Sequence, residues 1–177
     1  MRVVVVGTSG SGKSTFATAL ASAMQCSYVE LDRLYWGPGW TPVPLAPFED
    51  AVRQATQGEC WVADGNYSSV RDILWPRATH IVWLNYNRRT VFPRVFVRTL
   101  RRIAQRTTLS HGNVETFRAA FLSHDSILLW SVSTFAKNRR KFAALRDDPR
   151  YAHLQWTEIR RPEAAQMFIE SQMRSAG

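Results

Sequence analysis

Gly7-Thr8-Ser9-Gly10-Ser11-Gly12-Lys13-Ser14, followed by Thr15, is the stretch on which the fold turns. It satisfies G-x-x-x-x-G-K-[ST], the pattern of a phosphate-binding loop. A valine run at 3–6 precedes it, and a helix over 14–25 is predicted to follow. Strand, glycine loop and helix in that order are the setting the pattern requires. Gly7, Gly10 and Gly12 tolerate positive φ and carry no Cβ to block a phosphate. The N–H groups of the loop are expected to point inward as an anion nest. The helix N-terminus behind it adds about half a positive charge and unpaired donors. Lys13 is positioned by the pattern to reach the outer phosphates, and the Ser14 hydroxyl to hold a divalent cation.

Outward from the loop, apolar stretches alternate with helical ones. Strands are predicted over 2–6, 27–31, 60–63, 80–84 and 154–159. The first does not alternate apolar with polar, so both of its faces are expected to be buried, as in a parallel sheet. Helices are predicted from Pro47, over 69–75, from a cap at Thr90 to about 106, over 113–142 and over 162–173. Pro93 is expected in the first turn of the third of these, and an exposed connection over 107–112. The fold class is therefore α/β: one domain over 1–177, with a five-stranded parallel sheet flanked by helices. In such sheets ligands sit beyond the carboxyl ends of the strands. The first three strands end at Gly7, Asp32 and Asp64, which converge on one rim.

The formal net charge is +9, and 20 of the 23 basic residues are Arg. Arg presents a planar fork that matches paired phosphate oxygens. Twelve basic residues and two acids fall between Arg88 and Lys141, so the whole excess lies there. The partner is expected to be anionic, either nucleotide phosphates or a nucleic acid. No apolar run approaches the ~20 residues that span a bilayer, which excludes a membrane-spanning role. Cys26 and Cys60 lack metal-ligand spacing and read as buried thiols at strand starts, in keeping with a cytoplasmic location. The four histidines show no paired metal spacing.

Asp64, closing a hydrophobic strand, is the expected second contact to Mg²⁺ beside Ser14; a turn-forming Asp before Gly65 is the plainer alternative. Asp32 is suited to orient an acceptor hydroxyl or take its proton, or simply to cap a helix. At about 100° per residue, Phe92, Val95, Phe96, Thr99, Leu100 and Ile103 share one helix face, and Arg94, Arg98 and Arg101 line the other. No acid interrupts that stripe, unlike an ordinary solvated face. Arg98 and Arg101 are the expected charge-neutralising pair at a transferring phosphoryl group. Tyr35, Trp36 and Trp40 occupy a proline-bound loop, where they either stack on a flat acceptor or form a satellite core.

The order of these features resembles the nucleoside monophosphate kinase group of P-loop kinases. Leu31-Asp32-Arg33-Leu34-Tyr35-Trp36 with Trp40, then Asp64-Gly65-Asn66-Tyr67, then the Arg-rich helix and Gly112-Asn113-Val114-Glu115, look like the adenylate-kinase-related topology-modulation protein family. The resemblance implies a five-stranded core with an acceptor-binding segment over 33–58 and an Arg-rich lid over 98–121. Adenylate kinases continue the Asp-Gly turn with an aromatic, a proline and an arginine that holds the acceptor phosphate. Asn66 and Tyr67 stand there instead, which argues against AMP as the acceptor.

The expected activity is a phosphotransferase using ATP and Mg²⁺ on a small acceptor, a nucleotide or nucleoside. Its nucleotide-binding set is Gly7, Ser9, Gly10, Ser11, Gly12, Lys13, Ser14 and Thr15, and its catalytic set Lys13, Asp32, Arg98 and Arg101. The alternative is a nucleic-acid-associated ATP-binding protein affecting DNA topology, drawn from the basic stretch and the aromatics.

Overall fold

Four consecutive valines leave β1 (Arg2–Gly7) without a polar face, and each side of it is sealed by its own core. The computed structural model describes residues 1–104 and 127–176. β1 is flanked in parallel by β3 (Trp61–Asp64) and β4 (His80–Leu84), with β2 (Ser27–Glu30) and β5 (Gln155–Ile159) at the edges. The strand order is β2-β3-β1-β4-β5. Val3 and Val5 pack with Phe16 and Leu20 of α1 (Lys13–Ala23), Val91 and Val95 of α5 (Arg88–Ala104) and Ile169 of α7 (Pro162–Ala176). Val4 and Val6 pack with Phe48 and Val52 of α3 (Leu45–Ala55), Leu74 of α4 (Arg71–Leu74) and Phe142 of α6 (Ile127–Arg146). The α/β class with a five-stranded parallel sheet is as the sequence predicts.

This register brings the carboxyl ends together. Val5 is level with Asp64, and Glu30 with Asp64, so β3 and β2 stop at one height and β1 runs two residues further into the glycine loop. Fully burying a valine contributes about 1.5–3 kcal/mol, and all four here are at most 1% exposed. The rim stands on the most heavily stabilised part of the chain.

Several expectations need correction. The strand predicted over 27–31 and ending at Asp32 stops at Glu30: α2 (Leu31–Tyr35) begins directly after it, and Asp32 lies in its first turn. Leu31 turns inward at 1% exposure, and Leu34 and Tyr35 pack on the Phe48 core, a tertiary gain that favours the helical turn over continuing the strand. α5 starts at Arg88, so Pro93 falls inside it rather than in its first turn. The missing N–H deprives the Arg89 carbonyl of its helical partner, at an exposed residue of the first turn open to solvent. The buried stripe of α5 is Val91, Val95 and Thr99, narrower than predicted, with Phe96 and Leu100 46% and 39% exposed. The predicted connection over 107–112, most of the lid over 98–121 and the first part of the predicted 113–142 helix lie outside the described residues.

The cysteines also differ from expectation. Ser27 is level with Trp61, so Cys26 and Cys60, one residue earlier on each strand, are direct neighbours, with Cα atoms 5.0 Å apart. They are joined as a disulfide across the β2–β3 edge. The sequence separation of 34 residues gave no hint of the pairing. Among the described residues, no helix is long and apolar enough to cross a membrane.

Candidate active site

The glycine loop takes the predicted form. Gly10 and Gly12 adopt φ +78° and +83°, the left-handed region that glycine enters without a Cβ penalty. Gly12 caps α1 with no side-chain hydrogen bond, and no acid lies in the first turn. The orphan N–H groups of that turn are left for an anion. Ser11 is 1% exposed, and its Oγ has no hydrogen-bond partner among the described residues.

A cleft of about 990 Å³ opens over the loop, at the top of the range for small-molecule sites. Ser9, Gly10, Ser11, Gly12, Lys13, Ser14 and Thr15 all line it; Gly7 lies just behind them. Asp32, Asp64 and Arg98 line the same cleft. Arg101 is exposed and does not; Arg94, one turn before Arg98, takes its place. Arg101 shares the stripe of Arg94 and Arg98 but lies two turns, about 10 Å, farther along the helix than Arg94, which carries it past the cleft.

Lys13 Nζ donates to the Thr8 carbonyl at 3.1 Å. Burial lowers its pKa from the usual lysine range; Asp64 and Asp32 oppose the shift, and Arg98 reinforces it. Those couplings show that two carboxylates and a guanidinium converge on one ammonium. The Ser14 hydroxyl donates to Asp64 Oδ2 at 2.6 Å, and the Tyr28 hydroxyl to Asp64 Oδ1 at 3.1 Å. Asp64 is 4% exposed, and burial raises its carboxyl pKa, partly offset by Ser14, Lys13 and Tyr28. A buried carboxylate with this penalty gains from a cation.

Ser14 and Asp64 fit a magnesium ion: they supply two hard oxygens, and no cluster of three or more His, Cys, Asp or Glu exists among the described residues. An ion with so few protein ligands must complete its shell with phosphate oxygens and water, which is magnesium's habit rather than calcium's or zinc's.

The segment after β3 does more than the sequence reading assigned to it. Asn66 Nδ2 donates to the Gly7 carbonyl at 2.6 Å, and the Gly7 N–H donates to Asn66 Oδ1 at 3.3 Å. One amide thus holds both polar groups of the residue where β1 becomes the loop. The Tyr67 hydroxyl donates to Asp32 Oδ1 at 2.7 Å. Burial, then the charge of Asp32, raises the Tyr67 pKa, so the phenol remains a donor. Gly65, at φ +147°, lets the turn pass against Leu31, where a Cβ would come within 2.9 Å of Leu31 Cβ. Asp64, Asn66 and Tyr67 therefore hold Ser14, Gly7 and Asp32 in turn. The Asp-Gly pair signalled the turn; the bonds of Asn66 and Tyr67 carried no sequence signal.

α5 closes the other side. A Cβ on Gly10 would overlap Val95 Cγ2 and lie 3.2 Å from the Val91 carbonyl oxygen, so the helix rests on the loop apex. A Cβ on Gly12 would meet only Arg94 Nη1, at 4.0 Å, which puts that guanidinium over the loop. Arg94 also stacks on the Tyr86 ring, 5.7 Å from its centroid. At the opposite end of the cleft are Trp36 and Trp40, whose ring centroids are 5.8 Å apart and nearly perpendicular. Tyr35 stands between Phe48 and Tyr67, at 5.2 and 4.6 Å.

No protein-family model matches the chain, and no curated protein matches it. Among solved structures, a gluconokinase from Sinorhizobium meliloti 1021 is similar at a TM-score of 0.52 and 20% sequence identity. The likeness covers 99% of this chain and 93% of that one, so it is a likeness of whole chains. At that identity it speaks for architecture, and with the glycine loop and sheet order already described, the chain has the fold of a P-loop kinase.

Proposed function

We propose that this protein is an ATP-dependent phosphotransferase that moves the γ-phosphoryl group to a hydroxyl of a small acceptor. The observation that carries the reading is one cleft holding the open loop, Lys13, the Ser14–Asp64 pair and Asp32. The loop N–H groups bind the phosphates, and Lys13 leaves the Thr8 carbonyl for the outer ones. Ser14 and Asp64 hold Mg²⁺, which when bound neutralises phosphate oxygens. Asp32, kept in orientation by Tyr67, accepts the proton of the acceptor hydroxyl. That oxygen bonds to the γ-phosphorus as the bond to the bridging oxygen breaks, and ADP departs. Arg98 faces the transferring group; Arg101 belongs to the lid over 98–121 and acts on closure. Residues 33–58 form the acceptor-binding segment. Within the P-loop kinases, the order of motifs is that of the topology-modulation proteins, and we assign the chain beside them.

Two observations support a small acceptor over a nucleic acid. The cleft is of small-molecule size. Several basic residues are engaged on ring faces: Arg88 and Arg139 on Phe135, and Lys141 on Phe142.

The test is label transfer from γ-labelled ATP with Mg²⁺, using Lys13→Ala as the blank. Loss of about 10²–10³-fold in turnover is expected, with the fold intact by circular dichroism. Unchanged turnover in that variant overturns the mechanism. Polynucleotide-stimulated hydrolysis that weakens steeply with salt, without transfer to any small molecule, favours the nucleic-acid reading.

A further inference from the structure

The cleft is electrically divided. Among the described residues lining it, the cations are Lys13, Arg94 and Arg98. All three belong to the phosphate end: Lys13 is in the loop, Arg94 lies over Gly12, and Arg98 follows Arg94 by one helical turn. Beside the aromatics, Asp32 is bonded to Tyr67, which packs on Tyr35, and Glu30 lies two residues before it; both carboxylates line the cleft. The remaining surface there is aromatic, with Trp36 and Trp40 edge to face and Trp40 40% exposed. An acceptor bearing a phosphate or carboxylate would bring a like charge against Asp32 and Glu30. A neutral molecule with a flat ring meets two indole surfaces and a carboxylate ready for a hydroxyl proton.

We propose that the acceptor is an uncharged nucleoside, not a nucleotide and not a sugar acid. Its base lies against Trp36 and Trp40, and its hydroxyl lies at Asp32. The step is the one described above: the nucleoside oxygen bonds to the γ-phosphorus of ATP, ADP leaves, and the proton passes to Asp32 and on to solvent. The products are ADP and a nucleoside monophosphate. The inference rests on the phosphotransferase reading and narrows its substrate. It also separates this chain from its structural neighbour, since gluconate is a carboxylate.

The experiment uses the full chain with γ-labelled ATP and Mg²⁺. The acceptors are adenosine, guanosine, cytidine and uridine, their 5′-monophosphates, and gluconate. At least one nucleoside is expected to be phosphorylated with a kcat/KM about tenfold or more above its own monophosphate and gluconate, the scale of a small like-charge penalty. Trp36→Ala is expected to raise the nucleoside KM about tenfold with little change in kcat, the usual loss of one base–aromatic stack, and Trp36→Phe to recover most of it. A monophosphate or gluconate as the best acceptor overturns the inference and leaves the phosphotransferase standing. Transfer to none of the panel, with ATP binding seen by calorimetry, also overturns it. Absence of ATP binding removes the parent reading itself.

Discussion

Alanine at position 10 separates the two reasons a glycine stands there. Gly10 has φ +78°, where a Cβ costs about 1–2 kcal/mol. That Cβ would also overlap Val95 Cγ2 and press on the Val91 carbonyl oxygen at 3.2 Å. Val95 is β-branched within a helix, so its methyl has no second favourable rotamer to retreat to. Relief requires α5 or the loop to move, an overpacking cost of about 1–3 kcal/mol. Gly10→Ala is therefore expected to lose about 2–5 kcal/mol of stability. Gly12 is the control. Its φ of +83° is similar, but its nearest neighbour is the mobile end of Arg94 at 4.0 Å. Gly12→Ala is expected to lose only the backbone part, about 1–2 kcal/mol. Urea unfolding followed by tryptophan fluorescence measures both. Val95→Ala combined with Gly10→Ala should recover the packing part, giving a coupling of about 1–3 kcal/mol. Equal losses at 10 and 12, or strict additivity of the Gly10 and Val95 changes, would refute the claim that α5 rests on the loop.

Three further outcomes follow from the site. Burial raises the Asp64 carboxyl pKa, so the folded protein holds that proton more tightly than the unfolded chain. The stabilisation this gives is complete below the ordinary carboxylate range and is lost as pH rises from there through the raised pKa of the folded protein. Asp64→Asn is accordingly expected to raise the urea midpoint of the ligand-free protein at neutral pH while removing the magnesium dependence of ATP affinity; a lower midpoint contradicts this. Tyr67→Phe removes a hydrogen bond to a charged group, worth about 1.5–3 kcal/mol, and should lower kcat about 10–100-fold with ATP affinity unchanged. An unaltered kcat would show that Asp32 does not depend on the phenol. Reduction of Cys26–Cys60, separated by 34 residues, should cost about 3–4 kcal/mol on the chain-entropy account. Thiol titration of the unfolded, unreduced protein should find no free cysteine, and two would dismiss the bridge.

The loop, the strand ends and the convergence of Gly7, Asp32 and Asp64 were legible because each rests on local chemistry. Glycines, a lysine at fixed spacing and non-alternating apolar runs constrain the backbone within a few residues. What escaped is tertiary. Asn66 reaches Gly7 and Tyr67 reaches Asp32, 59 and 35 residues away along the chain, and no spacing rule encodes either bond. The helix at 31–35 is one short turn of mixed residues with no cap signal, and was decided by packing on Phe48. Arg94 and Arg101 look equivalent on a helical stripe; contact of α5 with Gly10 selects Arg94 and Arg98 for the cleft. Cys26 and Cys60 become neighbours only once the β2–β3 register is fixed.

β2 runs into α2 with no intervening loop, so the carboxylate at 32 is borne by the framework of the molecule. The two indoles belong instead to a detour that closes on itself: Trp36 bridges to Pro42, the Gly37 N–H donates to the Thr41 carbonyl at 2.8 Å, and the Val43 N–H donates to the Tyr35 carbonyl at 2.8 Å. On the proposed reading, guest selection and proton removal are thereby mounted on separate supports. If that reading holds, exchanging the tip of the detour changes which compound is admitted without disturbing the group that deprotonates it, and a lineage built on this plan is free to acquire new substrates by altering a handful of surface positions.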